Sequence, residues 1–144
     1  MNIRNATYHD APAIKSLLQQ LGYASRLSTL IDQLERMFNN EEHQVFVYEL
    51  RKEVVGFVSL HYLPQLAPDS SLMIISNFSV DEAIKNTNIG IELEKYITDQ
   101  ARLRKCEQIL LHCMDGRIPT HQFYLQQGYQ VYPKYFTKRL DYRE

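Results

Sequence analysis

Apolar residues recur along this chain in two periods, and the changes of period mark its elements. "NIRNAT" has the β-rich character of a short first strand. Asp10 then stands where a helix N-cap belongs, ahead of Ile14, Leu17, Leu18 and Leu21 at helical spacing, and Gly22 ends the run. Ser28 can cap a second helix whose stripe is Leu27, Leu30, Ile31, Leu34, Met37 and Phe38. "QVFVYEL" and "VVGFVSLHYL", joined by "RKE", read as an antiparallel hairpin, and the second run is apolar on both faces as a central strand would be. After the loop "LPQLAPDSS" come a fourth strand, "LMIISNFSV", the polar stretch "KNTN", and a helix from about Ile89 to Lys105. That helix carries Ile89, Leu93, Tyr96, Ile97 and Ala101 on its apolar side, and the strand "QILLHCM" follows it. "DGRIP" turns into a short helix, "THQFYLQQ", closed by Gly128, and "YQVYPKYFTKRL" reads as a terminal hairpin-like pair interrupted by Pro133.

Strand, helix and strand from "LMIISNFSV" to "QILLHCM" make a βαβ unit, so these two strands should be parallel while the hairpins are antiparallel. The expected fold class is therefore α+β (mixed α/β), with a central mixed sheet of six to seven strands flanked by about four helices. With 144 residues, 44% hydrophobic and 23% charged, the composition suits a single domain over 1–144 with one sizeable core.

A net charge of -1 gives no global attraction to nucleic acid or to an anionic membrane, so any anion site must be local. No apolar run approaches the roughly 18 residues of a membrane span, and "MNIRNATYHD" lacks the apolar core of a signal peptide, so a cytoplasmic location is expected. Cys106 and Cys113 make no disulfide framework and are expected to be reduced thiols. His9, His43, His112 and His121 share no spacing such as H-E-x-x-H, so no metal is expected.

The chemistry gathers at "KNTN", where a strand hands over to a helix. A helix N-terminus has free N–H groups and a partial positive charge that suit phosphate. Lys85 adds a cation, and Asn88 is the non-glycine residue that most readily takes positive φ and lets N–H groups converge. Gly90 would let a ligand approach the first turn. A plain polar turn before an uncapped helix is the alternative. Phe123, Tyr124 and Tyr129 crowd the short helix beyond the parallel strand, near the same end of the strand pair.

These residues carry a resemblance to the GNAT superfamily of N-acetyltransferases, whose pyrophosphate loop reads [Q/R]-x-x-G-x-[G/A]. Lys85, Asn88 and Gly90 stand at its three patterned positions. "RIPTHQFYLQQGYQVYPKYFTKRL" is similar to the family's closing motif, and "IRNATYHDAPAIKSLLQQLGY" and "VVGFVSLHYL" match its usual wording. The branch it most resembles holds aminoalkylphosphonate N-acetyltransferase and other acetyltransferases of small amines.

The resemblance implies a parallel strand pair splayed apart around acetyl-CoA as cosubstrate, and direct transfer to a small-molecule primary amine. Backbone groups of Phe78 and Val80, with Ser79 between them, would bind the pantetheine arm. Asn86, Thr87, Asn88, Ile89, Gly90 and Ile91 would cradle the pyrophosphate, with Lys85 and Arg117 in contact with it or with the helix start. Tyr124 matches the tyrosine that protonates the departing thiolate, a fitting role for a phenol of pKa about 10. A homodimer is plausible from the family.

Asn77 stands where relatives often carry a glutamate, and an amide cannot take the proton of an ammonium. His61 is the best-placed alternative base, Asp81 the next, and desolvation of the amine a third route. Acetylation of a peptide N-terminus or lysine, or a non-catalytic acyl-CoA-binding domain, are the alternative functions.

Overall fold

The computed structural model describes residues 2–67, 70–84, 87–112, 118–131 and 136–141. The chain forms two compact units, Met1–His112 and Cys113–Glu144.

In the first unit β1 (Ile3–Asn5) leads through a single 3-10 turn, Tyr8–Asp10, into α1 (Ala11–Gln20) and then α2 (Leu27–Phe38). The hairpin β2 (His43–Leu50) and β3 (Glu53–Pro64) follows, then β4 (Ser71–Val80), α3 (Ile89–Leu103) and β5 (Cys106–Leu111). The five strands form one sheet in the order β1-β2-β3-β4-β5, antiparallel except for the parallel pair β4–β5. The mixed sheet predicted by the βαβ spacing is present.

Alternation along β2 divides the core. Val45 and Val47 meet α1 and α2 through Ile14, Leu17 and Leu34, while Phe46 faces Ile97 and Ala101 of α3. Where α3 begins, Ile89 and Leu93 pack on Tyr48 and Val55. Gly56 permits this approach, since a Cβ there would lie 3.1 Å from the Ser79 carbonyl oxygen and 3.2 Å from Leu93 Cδ1. Tyr48 also fixes the start of α3 by polar contact. Its hydroxyl donates to Glu92 Oε2 at 2.7 Å and accepts from Asn2 Nδ2 at 3.2 Å.

Two expected caps differ. Asp10 stands at the N-cap of α1 but makes no side-chain cap there. Its carboxylate turns back to the Thr7 N–H at 2.8 Å and takes both terminal nitrogens of Arg4 at 2.8 and 2.9 Å. Ser28 lies inside α2, whose N-cap is Arg26 in extended backbone.

In the second unit α4 (Ile118–Gln126) ends ahead of Gly128, which has φ 95°. The predicted sixth and seventh strands are not found among the described residues: 129–131 and 136–141 carry no strand, and Tyr132 to Tyr135 lie outside them. β-propensity is only a fit to a pleated, half-buried surface, and Val131 and Phe136 are 80% and 89% exposed.

Candidate active site

Two bulges shape the middle of the sheet. Between β3 and β4 the register shifts after Ser59↔Asn77 to Leu60↔Ile75, which makes Ser76 an extra residue on β4. β4 pairs with β5 only as far as Ile75↔Leu111. Beyond that point, Ser76 to Val80 keep β3 on one side, and no strand pairs with them on the other among the described residues. Among the described residues the parallel pairing thus reaches the bulge, and Cys113 to Arg117, which continue the chain after β5, lie outside them.

The peptide groups of that segment alternate in direction. Asp81 donates its N–H to the Val55 carbonyl at 2.8 Å, so residues of its parity, Ser79 and Asn77, turn toward β3. Phe78 and Val80 turn theirs to the opposite edge. Their side chains lie against the α3 face, while the buried Ser79 hydroxyl points to α1 and lies 3.5 Å from the Leu17 carbonyl.

The edge leads into the N-terminus of α3. Thr87 stabilises the approach, its hydroxyl donating to the Ile84 carbonyl at 2.7 Å and accepting the Ile89 N–H at 3.4 Å. Asn88 is the N-cap residue with φ -82° and ψ 8°, and its side chain makes no cap bond. The positive φ expected of it is not adopted: its carbonyl already accepts from the Glu92 N–H at 2.9 Å, so the residue follows the helix. Gly90 and Ile91 complete the first turn half-buried, and Ile89 is buried in the core. Of the expected cofactor-binding residues, Lys85, Asn86 and Arg117 lie outside the described residues.

On the α1–α2 face of the sheet, at the bulge, lies a chain of polar side chains. His43 Nδ1 and His61 Nδ1 are 2.9 Å apart, and His61 Nε2 is 2.7 Å from Ser76 Oγ. Ser76 Oγ is 2.5 Å from Ser59 Oγ, which is 3.3 Å from Asn77 Oδ1. Ser76 is exposed, Ser59 buried, and the other three half-buried. Burial first, and then the charge that His43 can carry, hold the His61 imidazole below its ordinary pKa.

Asp81, the second candidate base, is occupied elsewhere. Its carboxylate accepts from the Ala83 N–H at 3.1 Å and from Gln20 Nε2 at 3.3 Å. It borders an open cavity of about 470 Å³ beside α1, whose guanidinium, Arg4, is already paired with Asp10 and Glu49. Tyr124 lies on α4 in the second unit, its ring 5.3 Å from that of Phe123 and 5.4 Å from that of Tyr129, so the predicted aromatic cluster exists there. His112 follows β5 and is exposed.

Sequence reasoning missed the role of Ser76, Ser59 and His43. A two-residue turn at Arg51 and Lys52 would set His43 opposite Leu60. The bulge between Tyr48 and Glu49 shifts the register by one and brings His43 opposite His61. The β4 bulge has no glycine or proline beside it, whereas the other makes Val55 of β3 the extra residue, next to Gly56.

A mixed sheet with one parallel pair and a bulged β4, followed by a helix N-terminus, is the acyltransferase fold that the resemblance implied. The chain belongs to the acetyltransferase (GNAT) family, whose model matches residues 11–129. It is an acetyltransferase by family, and the family generally uses acetyl-CoA as cosubstrate. Solved structures share the fold at low identity. A transcriptional regulator from Bacillus halodurans C-125 superposes with a TM-score of 0.88 at 19% identity, over 96% of this chain and 98% of that one. Glucosamine-6-phosphate N-acetyltransferase from Arabidopsis thaliana gives 0.83 at 18%, over 96% and 97%. A GNAT family acetyltransferase from Staphylococcus aureus gives 0.81 at 18%, over 97% and 100%. Comparison with curated protein sequences gives no match. Among the described residues no helix is long and apolar enough to cross a membrane.

Proposed function

We propose that this acetyltransferase moves an acetyl group from acetyl-CoA directly to a primary amine of a small molecule, with residues 1–144 acting as one transferase domain. The observation that carries the reading is the edge of β4 from Ser76 to Val80, which no strand pairs among the described residues, with the α3 N-terminus following the same strand. An extended pantetheine arm fits the edge to which Phe78 and Val80 turn their peptide groups, and the pyrophosphate fits the first turn of α3 at Asn88 to Ile91. Lys85, Asn86 and Arg117 take their phosphate roles in this proposal from the resemblance alone, as does Tyr124 its role as proton donor to the departing thiolate.

An ammonium of pKa about 10.4 must lose its proton before it attacks a thioester. His61 takes it: the imidazole stands at the bulge and is biased toward the neutral form at pH 7.

Calorimetry tests the cofactor half. Acetyl-CoA should bind the wild type saturably, and Gly90→Glu or Asn88→Asp, which put an anion at the helix start, should weaken binding by about tenfold or more. Equal affinity in all three proteins would refute the phosphate assignment.

Asn77, an amide where a carboxylate base would stand, favours a second reading, a domain that binds acyl-CoA without turning it over. Tyr124→Phe separates the two: an enzyme loses turnover and keeps binding, whereas a binding domain has no turnover to lose.

A further inference from the structure

The polar chain at the bulge contains more than a base. Between the two Nδ1 atoms of His43 and His61 one ring must donate and the other accept, so their tautomers are coupled. Each of Ser76 and Ser59 has one proton to give. Their 2.5 Å contact, together with the contacts to His61 and Asn77, permits two concerted arrangements. In one, every donor points toward position 77: His43 to His61, His61 Nε2–H to Ser76, Ser76 to Ser59, and Ser59 to Asn77 Oδ1. In the other, which needs the Asn77 amide turned over so that Nδ2 replaces Oδ1 beside Ser59, every donor points the opposite way: the Asn77 amide N–H to Ser59, Ser59 to Ser76, Ser76 to His61 Nε2, and His61 Nδ1–H to His43. Only the second leaves His61 Nε2 able to accept a proton.

We propose that His43, His61, Ser76, Ser59 and Asn77 form one reversible proton wire, entered at Ser76 Oγ and left at His43, whose direction is set by the amide of Asn77. This deepens the transferase reading and rests on it. Before the amine attacks, one proton of its ammonium passes to Ser76 Oγ, and the Ser76 proton passes to His61 Nε2; the second proton, shed as the amide forms, is balanced by the one the departing thiolate takes up. The His61 Nδ1 proton moves to His43 Nδ1, and His43 releases its Nε2 proton to water. Through the wire one proton leaves the ammonium and one reaches solvent. Ser76 is the group placed to touch the amine, because it is exposed at the bulge, next to the last described β4–β5 pair. Ser59, His43 and Asn77 act through it as positioning residues.

Asn77 then is not a base that was lost. A carboxylate at that position can only accept, so it would hold every donor pointing toward itself and block His61 Nε2 with a proton. His43 is the titratable neighbour that acts on His61 from β2, and β4 brings to it a hydroxyl and, through Ser59, an amide.

The test measures acetyl transfer to two probe amines, tyramine and glucosamine 6-phosphate, against pH, with acetyl-CoA binding by calorimetry alongside. Asn77→Asp, which supplies the carboxylate that a simple base mechanism would welcome, should lower kcat by about tenfold or more, as should Ser76→Ala. Both should bind acetyl-CoA within about twofold of wild type. His43→Asn should also lower kcat and move the acid limb of the pH profile upward, because His61 loses a cationic neighbour. A merely structural role for His43 would leave that limb in place.

Asn77→Asp with equal or raised kcat overturns the wire, as does an unmoved limb in His43→Asn. Wild-type protein that binds acetyl-CoA and acetylates neither probe overturns it too, while wild-type protein that does not bind acetyl-CoA overturns the transferase reading beneath it. If the variants misfold, imidazole nitrogen NMR of the wild type decides: coupled titration of His43 and His61 supports the wire, and independent titration refutes it.

Discussion

Asp10 can cap α1 or turn back toward the loop before it, and Arg4 decides between the two. Burial alone would raise the pKa of this carboxyl, but hydrogen bonds from Arg4 and then from the Thr7 N–H more than reverse that, and it lies below the usual 3.8. A depressed carboxyl stabilises the fold fully above the unfolded value, and the contribution fades as pH falls through the lower folded one. Asp10→Asn should therefore cost about 1–2 kcal/mol at neutral pH, since Arg4 is partly solvated, and the difference from wild type should vanish in acid. Urea unfolding at several pH values measures it. At this scale the sequence was only partly legible. Residue type showed that Asp10 and Asn88 belong near helix starts, but not which partner each would take, because the partners of Asp10 lie on β1 and in the following loop, and Asn88 had both helical and left-handed backbone open to it.

The β2–β3 hairpin shows the same limit for an element. Its existence was legible from two β-rich runs and a charged link. Its turn is unusual, for Arg51 and Lys52 both have positive φ, 52° and 67°, without a glycine or asparagine. Left-handed backbone at such residues costs about 1–2 kcal/mol each, so Arg51→Asn with Lys52→Gly should stabilise the protein by about 1–2 kcal/mol. The denaturant midpoint should rise with an unchanged slope; an unchanged midpoint would mean that the turn is not strained. The bulges that place His43 beside His61 and give β4 its extra serine were not legible, because each is a one-residue slip fixed by the whole ladder.

For the whole molecule, the order of elements from β1 to α4 and the parallel pair followed from periodicity, since burial on one or both faces leaves its mark on every turn of chain. The terminal strands are not found among the described residues, because a strand needs a neighbour's peptide groups as well as its own propensity. The sheet makes one further expectation. In hydrogen exchange, saturating acetyl-CoA should slow residues 76–80 and 87–92 by about tenfold or more and leave the β1–β2 ladder nearly unchanged. Uniform slowing throughout would point to global stabilisation by binding elsewhere.

Ser76 is surplus to the ladder. The pairs on either side of it, Ser59↔Asn77 and Leu60↔Ile75, would meet without it. A position that the framework does not need is one whose side chain the framework does not dictate. The chemistry at this bulge can thus be rewritten one letter at a time, a natural place for relatives of this enzyme to diverge and for a designer to begin.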